Sequence, residues 1–168
     1  LELVRNAYDA DAKTCTVTLR DDRGTAEIQI ADDGDGMSGA EIRSGWLLLG
    51  KSSKTTSRFT KGGRRKVGEK GLGRLAALRL GRQVELRTRR VAEDGIATSE
   101  SSLTIDWSRF DSVEAVDDVP LAIETGPTKL PAGTTIRITR LLQPLSESDV
   151  RRLARSMVLL TGPFQASN

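Results

Sequence analysis

Two stretches of alternating side chains near the start of the chain most strongly constrain its fold. Residues 15–19 alternate apolar side chains with threonines, and residues 26–30 repeat the alternation with other polar residues. Such alternation is typical of half-buried strands. Between them, residues 21–24 read Asp-Asp-Arg-Gly and supply turn chemistry. We therefore predict a β-hairpin.

The remaining elements are predicted from apolar spacing and capping residues. Ser38 with Glu41, and Ser146 with Asp149, have the spacing of a serine N-cap and its acidic partner. Helices are predicted over residues 1–10, from 38 to about 50, over 72–80 and from 146 towards 160, and further strands over 84–88, 103–107 and 134–139. Hairpin-connected strands with helices between them favour an α+β fold over a doubly wound parallel sheet. We expect a two-layer α/β sandwich whose mixed, mostly antiparallel sheet is backed by helices.

Composition limits the class of protein. A length of 168 residues with 37% hydrophobic content fits one globular domain. The chain has no histidine, which excludes a Ser-His-Asp triad and the usual zinc sites, and its single Cys15 excludes an internal disulfide. No apolar run approaches the roughly 20 residues of a membrane span, so we expect a cytoplasmic chain with no membrane partner. Because it lacks an initiating Met and opens within a helical pattern, we expect a fragment of a longer protein.

The first motif is a pair of polar residues on the first helix. Glu2 and Asn6 share a helix face at i and i+4, with Asp9 close to the same side. The Asn6 amide oxygen suits Mg²⁺, and Glu2 is placed to orient or deprotonate a water that attacks a phosphate. For this pair alone, a solvated polar helix face is the simpler interpretation.

The second motif follows the hairpin, where residues 32–37 read Asp-Asp-Gly-Asp-Gly-Met. Asp32 can accept a hydrogen bond from an exocyclic amine such as that of adenine, and Met37 can cover the ring. Gly34 and Gly36 permit unusual backbone angles and close approach of a flat ligand. The alternatives are a plain turn or a calcium loop, although the glutamate that ends an EF-hand loop is missing.

The third motif is glycine-rich and opens into a predicted helix. Residues 68–74 read Gly-Glu-Lys-Gly-Leu-Gly-Arg, and glycines before a helix N-terminus can expose amides to a triphosphate. A flexible connector with a helix cap is the competing interpretation. Residues 45–52 also match the phosphate-loop pattern G-x-x-x-x-G-K-S, but their apolar Trp-Leu-Leu-Leu centre follows a helix cap, so we treat that match as accidental.

The three motifs together, in this order, resemble the GHKL superfamily of gyrase B, ninety-kilodalton heat-shock chaperones, histidine kinases and MutL. Gly133-Thr134 late in the chain matches a fourth element, and the tract from 49 to 54 looks closest to the chaperone and MORC branches. The resemblance implies a Bergerat-type ATP-binding domain over residues 1–145. It also implies a C-terminal helix and tail over 146–168 that lead towards a missing downstream domain.

The resemblance also implies roles for individual residues. Glu2 would be the general base and Asn6 the Mg²⁺ ligand, and Asp32 would bind the adenine amine with help from Thr134. The basic stretch at about 51–67 would be a mobile lid over ATP. The other implied nucleotide contacts are Asp9, Gly34, Gly36, Met37, Lys51, Ser52, Lys70, Gly71, Leu72, Gly73 and Arg74.

The function expected from this resemblance is ATP hydrolysis to ADP and phosphate, inefficient or absent in the fragment. Lid closure and self-association would act as a switch in a larger protein with further domains or clients. A non-hydrolysing ATP-sensing module is the alternative. A basic nucleic-acid-binding domain built on residues 51–74 is a third, less favoured because Phe59 is the single aromatic residue there.

Overall fold

The structure is a computed structural model that describes residues 1–22, 25–47, 59–66, 78–92, 97–109 and 121–160. The predicted helix over 72–80 lies almost wholly outside these ranges, as do the predicted helix end near Gly50 and the motif at 68–74.

Three α-helices and six strands are described. The helices are α1 (Glu2–Asp9), α2 (Gly39–Glu41), which continues into a π-helical turn at Ile42–Trp46, and α3 (Glu147–Leu160). The strands are β1 (Cys15–Asp22), β2 (Thr25–Asp32), β3 (Gly81–Arg89), β4 (Ser99–Asp106), β5 (Ile123–Pro127) and β6 (Gly133–Leu141), and a 3₁₀ turn spans Trp107–Arg109.

The strands form one sheet in the order β1-β2-β6-β3-β4-β5. Every pairing among these described strands is antiparallel, including the predicted β1–β2 hairpin. The α+β prediction is confirmed. Strand β5 was not predicted, because its sequence Ile-Glu-Thr-Gly-Pro has turn residues at its end and a single apolar side chain.

Strand register divides the helix-covered face of the sheet into rows. Two rows are apolar: Val17, Ile30, Ile136, Leu86, Leu103 and Ile123 form one, and Leu19, Ile28, Ile138, Val84 and Ile105 form the next. Leu86, Leu103 and Ile138 are fully buried there. Truncating one of them to alanine should cost about 2–5 kcal/mol. This apolar part of the face is the core on which the helices pack.

Local sequence explains how the helices begin and what they bury. Helix α1 turns Leu3, Val4 and Ala7 into the core, which leaves Glu2 and Asn6 on its partly exposed side. Ser38 and Glu41 form the predicted capping box at α2. At α3 the Ser146 hydroxyl accepts a hydrogen bond from the Asp149 amide at 3.1 Å, as predicted. None of the described helices has the length and apolar character needed to cross a membrane.

Candidate functional site

Asp32 lies at the end of β2, directly opposite Thr134 on β6. Its carboxylate accepts a hydrogen bond from the Gly34 amide at 3.0 Å, and the Thr134 amide also stabilises it. Burial is the largest influence on this group and raises its pKa above the ordinary value, although the two amides oppose the shift. A half-buried carboxylate that is held by two amides is a fixed hydrogen-bond acceptor.

The loop after Asp32 is shaped by glycines. Gly36 has a φ of +63°, and a Cβ there would overlap the carbonyl oxygen of Arg89. A Cβ on Gly34 would lie 2.7 Å from the Ala10 carbonyl oxygen. The sequence therefore needs glycine at both positions, because the loop passes against β3 on one side and the end of α1 on the other.

Hydrogen bonds fasten this loop on both sides. The Asp35 amide donates to the Ala10 carbonyl at 2.8 Å, and the Val91 amide donates to the Asp35 carbonyl at 2.9 Å. Ala10 in turn donates its amide to the Asn6 carbonyl at 3.0 Å. The first and second motifs thus meet in the folded chain, with Asn6 one helical turn from the contact.

Polar side chains form the row of the sheet that contains Asp32. Strand register aligns Cys15, Asp32, Thr134, Thr88, Ser101 and Thr125, one from each strand. The Thr88 and Thr134 hydroxyls lie 3.0 Å apart, and the Met37 amide donates to the Thr88 hydroxyl at 2.8 Å. Thr134 is buried and so is Thr88. The apolar core therefore ends in a polar edge beside the glycine loop.

The predicted residues of α1 are partly accessible. Glu2, Asn6 and Asp9 are each half-buried, and Glu2 forms an ion pair with Arg5 at 2.7 Å. Because both side chains of this i, i+3 pair are partly exposed to solvent, the pair contributes little to stability. The ion pair with Arg5 therefore holds the Glu2 side chain only weakly.

A turn at residues 59–66, called here the 59–66 turn, docks against the end of α1. The Asp11 carboxylate accepts hydrogen bonds from the Thr60 hydroxyl at 2.6 Å and from the Gly62 amide at 2.8 Å. Arg64 donates to the Ala12 carbonyl at 2.8 Å, and Lys61 pairs with Asp35 at 3.3 Å. The end of the predicted lid thus contacts the segment after α1 and the second motif at Asp35. The remaining residues of the lid lie outside the described ranges, and its mobility stays a prediction.

Seven predicted contacts lie outside the described residues, namely Lys51, Ser52, Lys70, Gly71, Leu72, Gly73 and Arg74. Asp32, Gly34, Gly36, Met37 and Thr134 are brought together at one edge of the sheet, with α1 next to them. Their roles in binding stay predictions.

Two residues of this region, Thr88 and Asp11, belong to none of the predicted motifs. Thr88 is a polar side chain at a buried position of a strand that otherwise alternates Val84, Leu86 and outward charges. The alternation is visible in the sequence, but the hydrogen-bond partners of Thr88 are not. Asp11 has a φ of +58°, and its contacts with the 59–66 turn join distant parts of the chain.

A separate apolar cavity of about 670 Å³ lies at the other end of the same sheet face. Leu3, Val17, Ile28 and Ile138 line it together with residues of α3, and neither Asp32 nor Thr134 borders it. Its lining also includes Arg79, Asp149 and Arg152, but the predicted motif residues Asn6, Asp32 and Gly36 do not border it, so we place the candidate site at the polar edge.

Comparison with known proteins identifies the family to which this chain belongs. The family model described as histidine kinase-, DNA gyrase B- and HSP90-like ATPase matches residues 1–128. A Herpetosiphon aurantiacus protein named "Putative type II restriction enzyme HgiDII" is 41% identical over 76 residues, which make up 45% of this chain. The match covers 12% of that protein, so the chain corresponds to a small part of it. The chain belongs to the family of histidine kinase-, DNA gyrase B- and HSP90-like ATPases.

Proposed function

We propose that the chain binds Mg-ATP with the adenine at the polar edge of the sheet. The observation that carries this proposal is the Asp32 carboxylate, which is half-buried, held by the Gly34 and Thr134 amides, and bordered by the Gly36 loop. A fixed acceptor suits the exocyclic amine of adenine. The Gly36 loop packs closely against the end of β3, and Met37, which follows it directly, would cover the planar ring.

The phosphates would extend from this pocket past α1 and the predicted glycine motif at 68–74. Amides of Gly71 and Gly73, with Lys70, Leu72 and Arg74 around them, would stabilise the negative charge, and Lys51 and Ser52 would approach from the lid. Asp9 lies near Asn6 on the same helix and would support this region. These roles rest on the family membership and on motif spacing.

A magnesium ion fits this arrangement as an ion that arrives with the nucleotide. The described residues contain no group of three or more acidic or cysteine side chains that could hold a metal by themselves. Mg²⁺ is commonly held by one or two protein oxygens together with substrate phosphates, and the Asn6 amide oxygen would be such a ligand. The bound ion would help to neutralise phosphate charge.

We further propose that Glu2 acts as the general base that takes a proton from the attacking water. Its position on the same face as Asn6 supports this role, and the exposed ion pair with Arg5 leaves it free to reorient. In a larger cytoplasmic protein, binding would close the lid at 51–67 and promote self-association. A module that senses ATP without hydrolysing it is the alternative.

A second candidate concerns the whole protein rather than the site. The name of the Herpetosiphon relative connects a similar segment with a restriction enzyme. This supports a context in which ATP binding controls DNA processing by other parts of a longer chain. The nucleotide would then act as a switch, and DNA contact would depend strongly on salt concentration.

Calorimetric titration with Mg²⁺ and a non-hydrolysable ATP analogue tests the base pocket. Asp32→Ala should abolish binding while the chain still folds. Asp22→Ala, an exposed aspartate at the hairpin end of β1, is the matched control and should bind like the original chain. Equal affinity of the Asp32 variant would rule out the proposed pocket.

A further inference from the structure

The hydroxyl of Thr88 connects the glycine loop to Thr134 through two hydrogen bonds. The Met37 amide donates to the Thr88 oxygen at 2.8 Å, and the oxygens of Thr88 and Thr134 lie 3.0 Å apart. Thr88 is 0% exposed, whereas Thr134 retains 8% of its surface. Thr134 therefore lies between a fully enclosed hydroxyl and the proposed pocket.

The hydrogens available to Met37 and Thr88 determine which hydroxyl donates in the Thr88–Thr134 hydrogen bond. An amide can act here only as a donor, so Met37 occupies a lone pair of Thr88 and the Thr88 hydrogen needs an acceptor. A buried hydroxyl left without a partner costs about 1–3 kcal/mol. Among the described residues, the acceptor in reach of that hydrogen is the Thr134 oxygen. Thr88 then donates to Thr134, and the Thr134 hydrogen is directed to another acceptor.

We propose that Thr88 is a positioning residue that fixes the Thr134 hydroxyl as a hydrogen-bond donor to the ring nitrogen N1 of adenine, directly or through one water. This inference rests on the proposed function and deepens it. Asp32 supplies an acceptor and Thr134 a donor, at directly paired positions of β2 and β6. Adenine presents the complementary pair, a donating amine beside the accepting N1.

An acceptor at Asp32 beside a donor at Thr134 also selects against other bases. Guanine presents a carbonyl oxygen and a protonated N1 on the corresponding edge, so its donor and acceptor are reversed. A site whose polar groups are left unpaired rejects such a ligand strongly. Thr88 would therefore contribute to specificity without contacting the nucleotide.

The test uses ADP and 1-deaza-ADP, in which a C–H group replaces N1 and the amine remains. Affinities of the 168-residue chain are measured with Mg²⁺ for the original sequence and for Thr88→Val and Thr88→Ser. The original chain should prefer ADP about tenfold, the value of one hydrogen bond. Thr88→Val should reduce this preference to about twofold or less, and Thr88→Ser should retain it because the hydroxyl is kept.

The preference ratio separates positioning from a merely structural effect. If Thr88 only supported the fold, Thr88→Val would weaken both ligands equally and the ratio would not change, which would overturn the inference. A chain that binds both ligands equally well would also overturn it, while the proposed nucleotide site would stand. Failure of the original chain to bind ADP would instead remove the proposed function.

A second variant keeps the test decisive if Thr88→Val does not fold. Thr134→Val removes the donor itself and should abolish the preference for ADP, with thermal unfolding as the check on the fold. A Thr134→Val chain that still prefers ADP tenfold would contradict the assigned direction of the bonds.

Discussion

Asp32 at the end of β2 and Thr134 near the start of β6 are direct partners across the sheet, and the Thr134 amide stabilises the Asp32 carboxylate. Gly133, with a φ of +140°, precedes this contact, and a Cβ there would overlap the Asp32 carbonyl oxygen. Glycine at position 133 is therefore required by the close approach of two strands, and it lies next to Thr134 with its proposed role towards the ligand.

Gly36→Ala should destabilise the fold severely. The left-handed φ of +63° costs a non-glycine residue about 1–2 kcal/mol, and the added methyl group would overlap the Arg89 carbonyl. We expect a loss of about 3 kcal/mol or more in the free energy of unfolding, measured by urea denaturation. Gly63→Ala is the matched control, because Gly63 has a φ of +80° with no atom within 4 Å of an added Cβ. Equal losses in both variants would contradict the proposed close packing at Gly36.

The Asp32 carboxyl should titrate above its ordinary pKa of 3.8, because burial is the largest influence on it. The folded chain then keeps this proton to higher pH than the unfolded chain does. The contribution of Asp32 to the free energy of unfolding consequently falls as the pH rises from 3.8 through the folded pKa. Carboxyl ¹³C shifts, assigned with Asp32→Asn, measure this pKa in the ligand-free chain. A midpoint below 3.8 would contradict the buried environment.

Asp11→Asn should release the 59–66 turn. Asparagine tolerates the positive φ at this position, but it places an NH₂ group against one of its donors, Thr60 or Gly62, and removes the charge that attracts Arg64. We expect amide hydrogen exchange in the turn to accelerate about tenfold, the value of one hydrogen bond. Asp22→Asn is the control. Unchanged exchange of the Gly62 amide in the Asp11 variant would show that contacts other than those of Asp11 hold the turn.

Glu2→Gln should separate binding from hydrolysis in the complete protein. Loss of a general base lowers the rate about 10²-fold or more, whereas the affinity for ATP should stay within about twofold. Arg5→Gln breaks the same exposed ion pair but keeps the carboxylate, so it should retain hydrolysis. Phosphate release at full rate by the Glu2 variant would remove this residue from the proposed mechanism.

Much of the fold was predictable because local patterns and tertiary structure agree. The β1–β2 hairpin follows from strict alternation, and the capping box at Ser38 and the serine cap at Ser146 follow from spacing alone. Strand β5 was missed because its place in the sheet depends on pairing with β4, and its own sequence resembles a turn.

Individual residues of the candidate site were predictable from the sequence, but the contacts between them were not. Asp32 and Gly36 can be identified from the sequence, because a strand followed by alternating Asp and Gly needs unusual backbone geometry. Thr88 could not be assigned in the same way, because its significance depends on register with Thr134 and on the approach of Met37. Asp11 likewise gains its role from contact with a distant turn.

A crystal structure of the 168-residue chain with Mg²⁺ and ADP tests the central claim most directly. We expect the adenine amine within hydrogen-bond distance of the Asp32 carboxylate, with the ring against Gly36 and the phosphates beside α1. Nucleotide bound in the apolar cavity next to α3, or on any surface remote from Asp32 and Thr134, would contradict this account.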